Sequence, residues 1–248
     1  MVHLAYILEE THNLGLMHRV NFEGSKNALE AAGRAGVKQI LVASSGTAYG
    51  AWPDNPAALK EDHALNANPG FHYAVDKVKV EGLCRECTQK HPQVILSLIR
   101  PCVVYGPNVS NYLSELFDMP VLTTIRGFNP PLQFVHEDDV VKAVISILEK
   151  KGQGPFNIAP EDTITMAEIC RMSGKLQVRI PYPLVRLIVG LTWASRLPMY
   201  NFSTAFLDYI RYPWVVDSGR IRNELGYRFR YSSRETVEII LRGKGILV

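Results

Sequence analysis

The chain has 248 residues, of which 47% are hydrophobic and 21% charged, with a formal net charge of +3. That length and composition suit a soluble globular chain with apolar side chains for one large core, or one and a half. The near-balanced charge, with no run of five like charges, speaks against a nucleic-acid partner.

Val2-His3-Leu4-Ala5-Tyr6 is an apolar run without alternation, which predicts a strand buried on both faces. A helix is expected from about Leu16 to Ala35, burying Val20, Ala28, Leu29, Ala31 and Ala32, with Gly33 and Gly36 at its end. Val37 to Ala43 reads as a second buried strand, and a proline-containing loop leads to a helix from about Phe71 to Lys90. That helix carries Cys84 and Cys87. No second Cys-x-x-Cys or His pair follows to complete a zinc site, so both are expected to be ordinary helix cysteines, with no metal bound. With Cys102 and Cys170 they make four thiols and no disulfide framework, which suits a reducing cytoplasm. Val94 to Ile99 is a third buried strand. The alternation of apolar strands and helices predicts parallel βαβ units.

Beyond about residue 105 the pattern loosens. Gln133 to His136 and Phe156 to Ala159 read as short strands. Glu137 to Lys150 reads as a helix, with Asp138 and Asp139 at its positive N-terminus as capping residues. Thr165-Met166-Ala167-Glu168 and Ser232-Ser233-Arg234-Glu235 are capping boxes. The most apolar window, Pro183 to Leu197, is interrupted by Arg186 and Arg196 and is too short to span a bilayer. A core helix is expected there, with no stable membrane insertion; the alternative is a membrane-surface helix of a membrane-associated reductase. The predicted class is therefore α/β: residues 1–105 form a partial parallel sheet flanked by helices. Residues 106–248 form mainly a small α+β substrate-binding subdomain, with about 133–160 returning to the core.

The chemistry centres on Tyr73-Ala74-Val75-Asp76-Lys77. Residues four apart share a helix face, so phenol and ammonium sit together. A free tyrosine titrates near 10, too high for a base at neutral pH, and a neighbouring positive charge lowers it. Such a tyrosine could take the proton of a substrate alcohol while hydride leaves its carbon. The spacing alone is weak and takes its meaning from Ala43-Ser44-Ser45-Gly46-Thr47-Ala48-Tyr49-Gly50, directly after the second apolar strand. The carboxyl end of a parallel strand is where ligands bind in open α/β sheets, and a small hydroxyl there can meet a substrate oxygen.

Six segments in order resemble the extended short-chain dehydrogenases/reductases, the NAD-dependent epimerase/dehydratase family. They are His3-Leu4-Ala5; Asn21 to Ala32; Ser44-Ser45 before Tyr49-Gly50; Tyr73 with Lys77; Arg100-Pro101-Cys102-Val103-Val104-Tyr105-Gly106-Pro107; and Phe134 to Val140. The resemblance implies a Rossmann-like fold and NAD or NADP as cofactor. It gives Ser45 the substrate oxygen, Tyr73 the acid/base role, and Lys77 the nicotinamide ribose and the tuning of the tyrosine. Leu4, Ala5, Asn21 and Ser44 would line the dinucleotide, and Pro101 and Cys102 would lie beside the nicotinamide. His136 reads as structural, and Cys102 as a small packing residue. The implied substrate is a small-molecule alcohol or ketone, a nucleotide sugar being the family's commonest kind. Asn108, Asn111, Tyr112 and Arg126 are the polar candidates to touch it. A homodimer through the helix that carries Tyr73 and Lys77 is also implied.

The family's Gly-x-x-Gly-x-x-Gly turn, its first strand and its ribose-reading acid are absent from the chain. That turn binds the pyrophosphate. The expectation is that Met1 is internal to a longer protein, that roughly 60 residues precede it, and that Val2 to Tyr6 forms a bare apolar edge. The alternatives are a shortened chain unable to hold cofactor well, or a relative of the fold that serves as a redox sensor, RNA-binding protein or assembly factor. Such relatives typically lose the serine, tyrosine or lysine, and all three stand here.

Overall fold

A computed structural model describes residues 1–109, 118–196 and 202–247. Its centre is a parallel pair of apolar strands, Gln39–Ala43 (β2) and Ile95–Pro101 (β3), in register from Gln39 opposite Ile95 to Ala43 opposite Ile99. Ile40, Leu41 and Val42 are each at most 1% exposed, as a strand covered on both faces requires. Successive side chains serve opposite faces. Ile40 and Val42 join Leu29, Val80 and Cys84 on one side, and Leu41 joins Ala143, Ile147 and Ile158 on the other. Val2–His3 (β1) pairs parallel with β2, and Gly154–Ile158 (β8) pairs parallel with β3. The sheet order is β1-β2-β3-β8.

The helices follow from the crossovers. Leu14–His18 (α1) runs through a π-helical turn at Arg19–Glu23 into Gly24–Arg34 (α2), which leads back to β2. His72–Lys90 (α3) leads from β2 to β3. Val103–Tyr105 (β4) pairs parallel with Phe134–His136 (β7), which runs directly into Glu137–Glu149 (α4). Among the described residues beyond β4, Val121–Ile125 (β5) pairs with Leu176–Ile180 (β10), and Pro131–Leu132 (β6) pairs with Ile164–Thr165 (β9). Met166–Ser173 (α5), Tyr182–Ser195 (α6), Asp208–Arg211 (α7), Gly219–Leu225 (α8) and Ser233–Gly243 (α9) complete the chain. Both expected capping boxes are present, at Thr165 with Glu168 and at Ser232 with Glu235.

Four expectations change. The strand expected over Val2 to Tyr6 is only two residues long; it forms the expected apolar edge of the sheet, with Val2 43% and Leu4 62% exposed and no strand on its far side among the described residues. Val20 is 37% exposed and Ala31 is exposed too, while Leu29 and Ala32 are buried as expected. The cap of α4 is His136, whose Nδ1 accepts from Asp138 N–H; Asp139 is fully buried and accepts from Arg230 and Tyr231 N–H and from Tyr227 Oη. Asp139 thus ties down the loop before α9 and caps nothing. Finally, α6 is a core helix on one face only: it buries Val185, Val189 and Thr192 but exposes Leu184, Leu187 and Leu191.

One buried polar network ties the elements that carry the loop after β2. Glu81 on α3 takes a two-pronged contact from Arg100 of β3, Nε to Oε1 at 2.9 Å and Nη2 to Oε2 at 2.6 Å. Ser44 donates to Glu81 Oε1 at 2.5 Å. Arg100 Nη1 donates to Tyr49 Oη at 2.6 Å, and Tyr49 donates to Asn157 Oδ1 at 2.9 Å. Glu81 is 1% and Arg100 4% exposed. Glu81→Ala leaves the guanidinium buried and unpaired, so it is expected to destabilise the fold by about 3–5 kcal/mol. The check is the denaturant midpoint; an unchanged midpoint would contradict the assigned pairing.

Candidate active site

The chain leaves β2 through Ala43-Ser44 and turns sharply at Ser45, whose extended backbone caps a short 3₁₀ turn at Gly46–Tyr49. Ser45 Oγ accepts from Thr47 N–H at 3.2 Å and from Thr47 Oγ1 at 2.8 Å. Tyr209 Oη donates to the Thr47 carbonyl at 2.7 Å, pinning the turn from the C-terminal part of the chain. Glycine is required at the far end of the turn, and little room is left for a side chain at the near end. A Cβ on Gly46 would lie 3.2 Å from the Pro101 carbonyl oxygen. Gly50 has φ +79°, and a Cβ there would lie 2.1 Å from the Asn66 carbonyl oxygen.

The first turn of α3 brings Tyr73 to this loop, where the Ser45 hydroxyl acts to lower its phenol pKa. One turn on, Lys77 is 3% exposed, and its Nζ donates to the Ala43 carbonyl at 2.7 Å and lies 5.5 Å from the Tyr73 ring centroid. The three residues singled out for chemistry therefore converge at the carboxyl end of β2. Burial pushes the Tyr73 phenol up to about 12, while the Ser45 hydroxyl pulls the other way. Burial brings Lys77 down to about 7, against the opposing pull of the Glu81 charge. At pH 8 the phenol and most of the amine are thus neutral.

The other candidates fare differently. Leu4 and Ala5 are exposed just past β1. Asn21 is fully buried, with Oδ1 accepting from Ile7 N–H and Nδ2 donating to the Ile7 carbonyl, so its amide clamps the loop after β1. Ser44 turns down to Glu81. Pro101 is partly exposed at the end of β3. Cys102 is 6% exposed, lines a small cleft with Gln133 and Trp214, and has its thiol raised by burial, which removes it as a nucleophile. Asn108 is exposed and gives its backbone N–H and Nδ2 to Glu137 Oε1. Arg126 is exposed beyond β5. Asn111 and Tyr112 lie outside the described residues. Cys84 and Cys87 are buried on the core side of α3, and the described residues hold no cluster of three metal-ligating side chains.

Sequence reasoning missed Tyr6, Glu81 and Arg100. The Tyr6 ring centroid is 3.4 Å from Lys77 Nζ, its ring meets Tyr73 edge-on at 5.5 Å, and burial raises its phenol further than that of Tyr73. Glu81 was legible as the next member of a Tyr73, Lys77, Glu81 stripe at helical spacing. Nothing local marks Tyr6, whose partners are some seventy residues away.

A hydroxyl, a phenol and an amine gathered at a strand end, with exposed Leu4 and Ala5 alongside the same sheet, fit the nicotinamide–ribose end of a dinucleotide. The pyrophosphate calls for a glycine-rich turn at a helix N-terminus, which these residues do not supply.

The model of the NAD dependent epimerase/dehydratase family matches residues 2–159. An uncharacterised protein of Mycobacterium tuberculosis is 25% identical over 231 residues, covering 93% of this chain and 61% of its own length. The chain thus spans about six-tenths of that relative. An N-acetylglucosaminyl-diphospho-undecaprenol 4-epimerase of Escherichia coli O157:H7 is 36% identical over 182 residues, covering 68% of this chain and 53% of its own length. Among solved structures, dTDP-glucose 4,6-dehydratase of Streptomyces venezuelae with NAD bound superposes with a TM-score of 0.72 at 20% identity, over 98% of this chain and 72% of that one. UDP-glucuronic acid 4-epimerase of Bacillus cereus with NAD gives 0.70 at 18% identity, over 97% and 74%. These structural likenesses carry the fold: an α/β, Rossmann-like arrangement. The match across residues 2–159, read with the parallel sheet and the Ser45–Tyr73–Lys77 cluster at its carboxyl end, makes this chain a member of the NAD dependent epimerase/dehydratase family.

Proposed function

We propose that this chain carries the acid/base and substrate-binding machinery of an NAD(P)-dependent oxidoreductase or epimerase acting on an alcohol or ketone. The observation that carries the reading is the convergence of Ser45, Tyr73 and Lys77 at the carboxyl end of β2, with Lys77 Nζ on the Ala43 carbonyl and 5.5 Å from the Tyr73 ring centroid. When bound, the nicotinamide supplies the acceptor or donor of hydride. Tyr73 Oη gives or takes the proton at the substrate oxygen, Ser45 Oγ orients that oxygen, and Lys77 holds the ribose and, when protonated, favours the phenolate. Glu81 acts through Lys77, since its charge raises the lysine pKa toward the protonated form.

A sugar attached to a diphosphate is the substrate class that draws most support. The named relative and both structures described above are a diphospho-sugar epimerase, a nucleotide-sugar dehydratase and a nucleotide-sugar epimerase. Arg126, exposed beyond β5, remains the candidate to meet a phosphate. A homodimer through α3 belongs to the same proposal. A second reading, a family fold that does not turn over, draws on Tyr6: its ring covers Lys77 where a ribose would approach.

Three expected outcomes test these readings. Because these residues supply no pyrophosphate-binding turn, titration with NADH and NADPH, followed by nucleotide fluorescence, should show weak binding that Lys77→Met abolishes; binding that Lys77→Met leaves unchanged favours the second reading. Tyr73→Phe should lower kcat on UDP-sugars by about 10²–10⁴ while leaving the unfolding midpoint near that of the wild type. Ser45→Ala should cost about 10²–10³ and move the alkaline limb of the pH profile upward, because it removes the hydroxyl that lowers the phenol.

Lys77 also gives a stability outcome with a definite sign. The folded chain deprotonates it at about 7 and the unfolded chain near the ordinary value of 10.5. Between those values the unfolded state binds more protons, so the site's contribution to stability rises with pH across that window. Unfolding curves of wild type and Lys77→Met should therefore diverge from about pH 7 to pH 10.5, the wild type gaining. Parallel curves would show a lysine that keeps its ordinary pKa.

A further inference from the structure

The helix α6 carries two unlike faces. Val185, Val189 and Thr192 are at most 9% exposed and join it to the core. Leu184, Leu187 and Leu191, at the three- and four-residue intervals that share a helix face, are 47%, 56% and 61% exposed. Pro183 and Ala194, both exposed, lie on the same strip, and no charged residue interrupts it. With 14 residues the helix is about 21 Å long. Just before it, β10 exposes Leu176 at 66% and Val178 at 38%. A continuous exposed apolar strip of this kind marks an interaction surface.

Charge decides what the surface meets. From residue 169 to residue 207 the chain contains no Asp or Glu, but it contains Arg171, Lys175, Arg179, Arg186 and Arg196. This segment alone therefore carries +5, against +3 for the whole chain. Arg186 lies on the flank of the leucine strip and Arg196 at its C-terminal end. Both are exposed, with no ion-pair partner among the described residues. Leucines framed by unpaired guanidiniums, with no acid in the segment, complement an anionic lipid surface: the apolar strip enters the acyl boundary and the arginines meet the headgroups. A second copy of the chain packed through the same strip would bring like charges together. No helix among the described residues is long and apolar enough to cross a membrane, so the contact is peripheral.

We infer that α6 docks this protein on anionic membranes, with Leu184, Leu187 and Leu191 as the inserted face and Arg186 and Arg196 as the headgroup contacts. This stands apart from the proposed chemistry, because docking requires no turnover and uses no residue of the Ser45 site.

The test is flotation of the 248-residue chain with vesicles of phosphatidylglycerol and, separately, of phosphatidylcholine. The expected result is flotation with phosphatidylglycerol, weakened by added salt, and much less with phosphatidylcholine. Leu187→Glu and Leu191→Glu should each lower the partition coefficient about tenfold or more, as the loss of a buried leucine implies. Arg186→Gln and Arg196→Gln should each lower it about fivefold. Because these side chains point to solvent, circular dichroism and the thermal midpoint should stay at wild-type values; Leu187→Ser is the milder variant if Leu187→Glu fails that check. No flotation on either vesicle overturns the inference. So does flotation that the leucine variants leave unchanged, or a wild-type dimer that Leu187→Glu converts to monomer without any vesicle binding.

Discussion

The buried pair of Glu81 and Arg100 is the interaction on which the rest of the site depends. Two ions taken out of water cost several kcal/mol each, and only close contact with complete hydrogen bonding offsets that. Here the requirement is met by geometry spread over the chain: Glu81 on α3, Arg100 on β3, Ser44 after β2 and Tyr49 at the end of the 3₁₀ turn. Tyr49 passes the network on to Asn157 of β8, and the backbone N–H of Asn157 donates to Glu61 Oε1. Three of the four central strands and the helix bearing Tyr73 are thereby fixed to one another beneath the loop of Ser45. A loop residue acquires a defined position because the residue before it is held from below.

Above that network the proposed acid/base pair is held mostly uncharged. Burial works against charge on both Tyr73 and Lys77, raising one and lowering the other, so the pair is mostly neutral in mildly alkaline solution. The forces that would charge it are local: the Ser45 hydroxyl on the phenol and the carboxylate of Glu81 on the ammonium. Tyr6 adds a cover over Lys77 from the loop after β1. The nicotinamide end of the proposed site is therefore narrower than the motifs alone imply.

The C-terminal part shows the same division between what holds the fold and what faces outward. Asp139 spends its carboxylate on the loop before α9, and Gln133 bonds the Pro160 and Val216 carbonyls, so these buried polar groups serve connection. On α6 the apolar residues divide between core and solvent, and the positive charge of the chain gathers there. A +3 total hides a segment of +5, which averaging over the whole length erases.

The sequence by itself determined the parallel sheet, its helices and the three residues of the chemical cluster. Continuous apolar runs have one good solution, burial between two helical layers, and helical spacing puts Tyr73 and Lys77 on one face whatever surrounds them. Capping boxes at Thr165 and Ser232 were legible for the same reason: their partners lie within one turn. Only the tertiary structure decided which polar residues were free. Asn21, Ser44, Asn108 and Asp139 each carry the right groups for a ligand or a helix cap, yet Ile7, Glu81, Glu137 and the 227–231 loop claim them. It also decided that Leu184 lies in solvent and that Tyr6 sits over Lys77. Hydrophobicity is a property of a residue, but burial and pairing depend on what the fold brings against it, and those contacts join positions far apart along the chain.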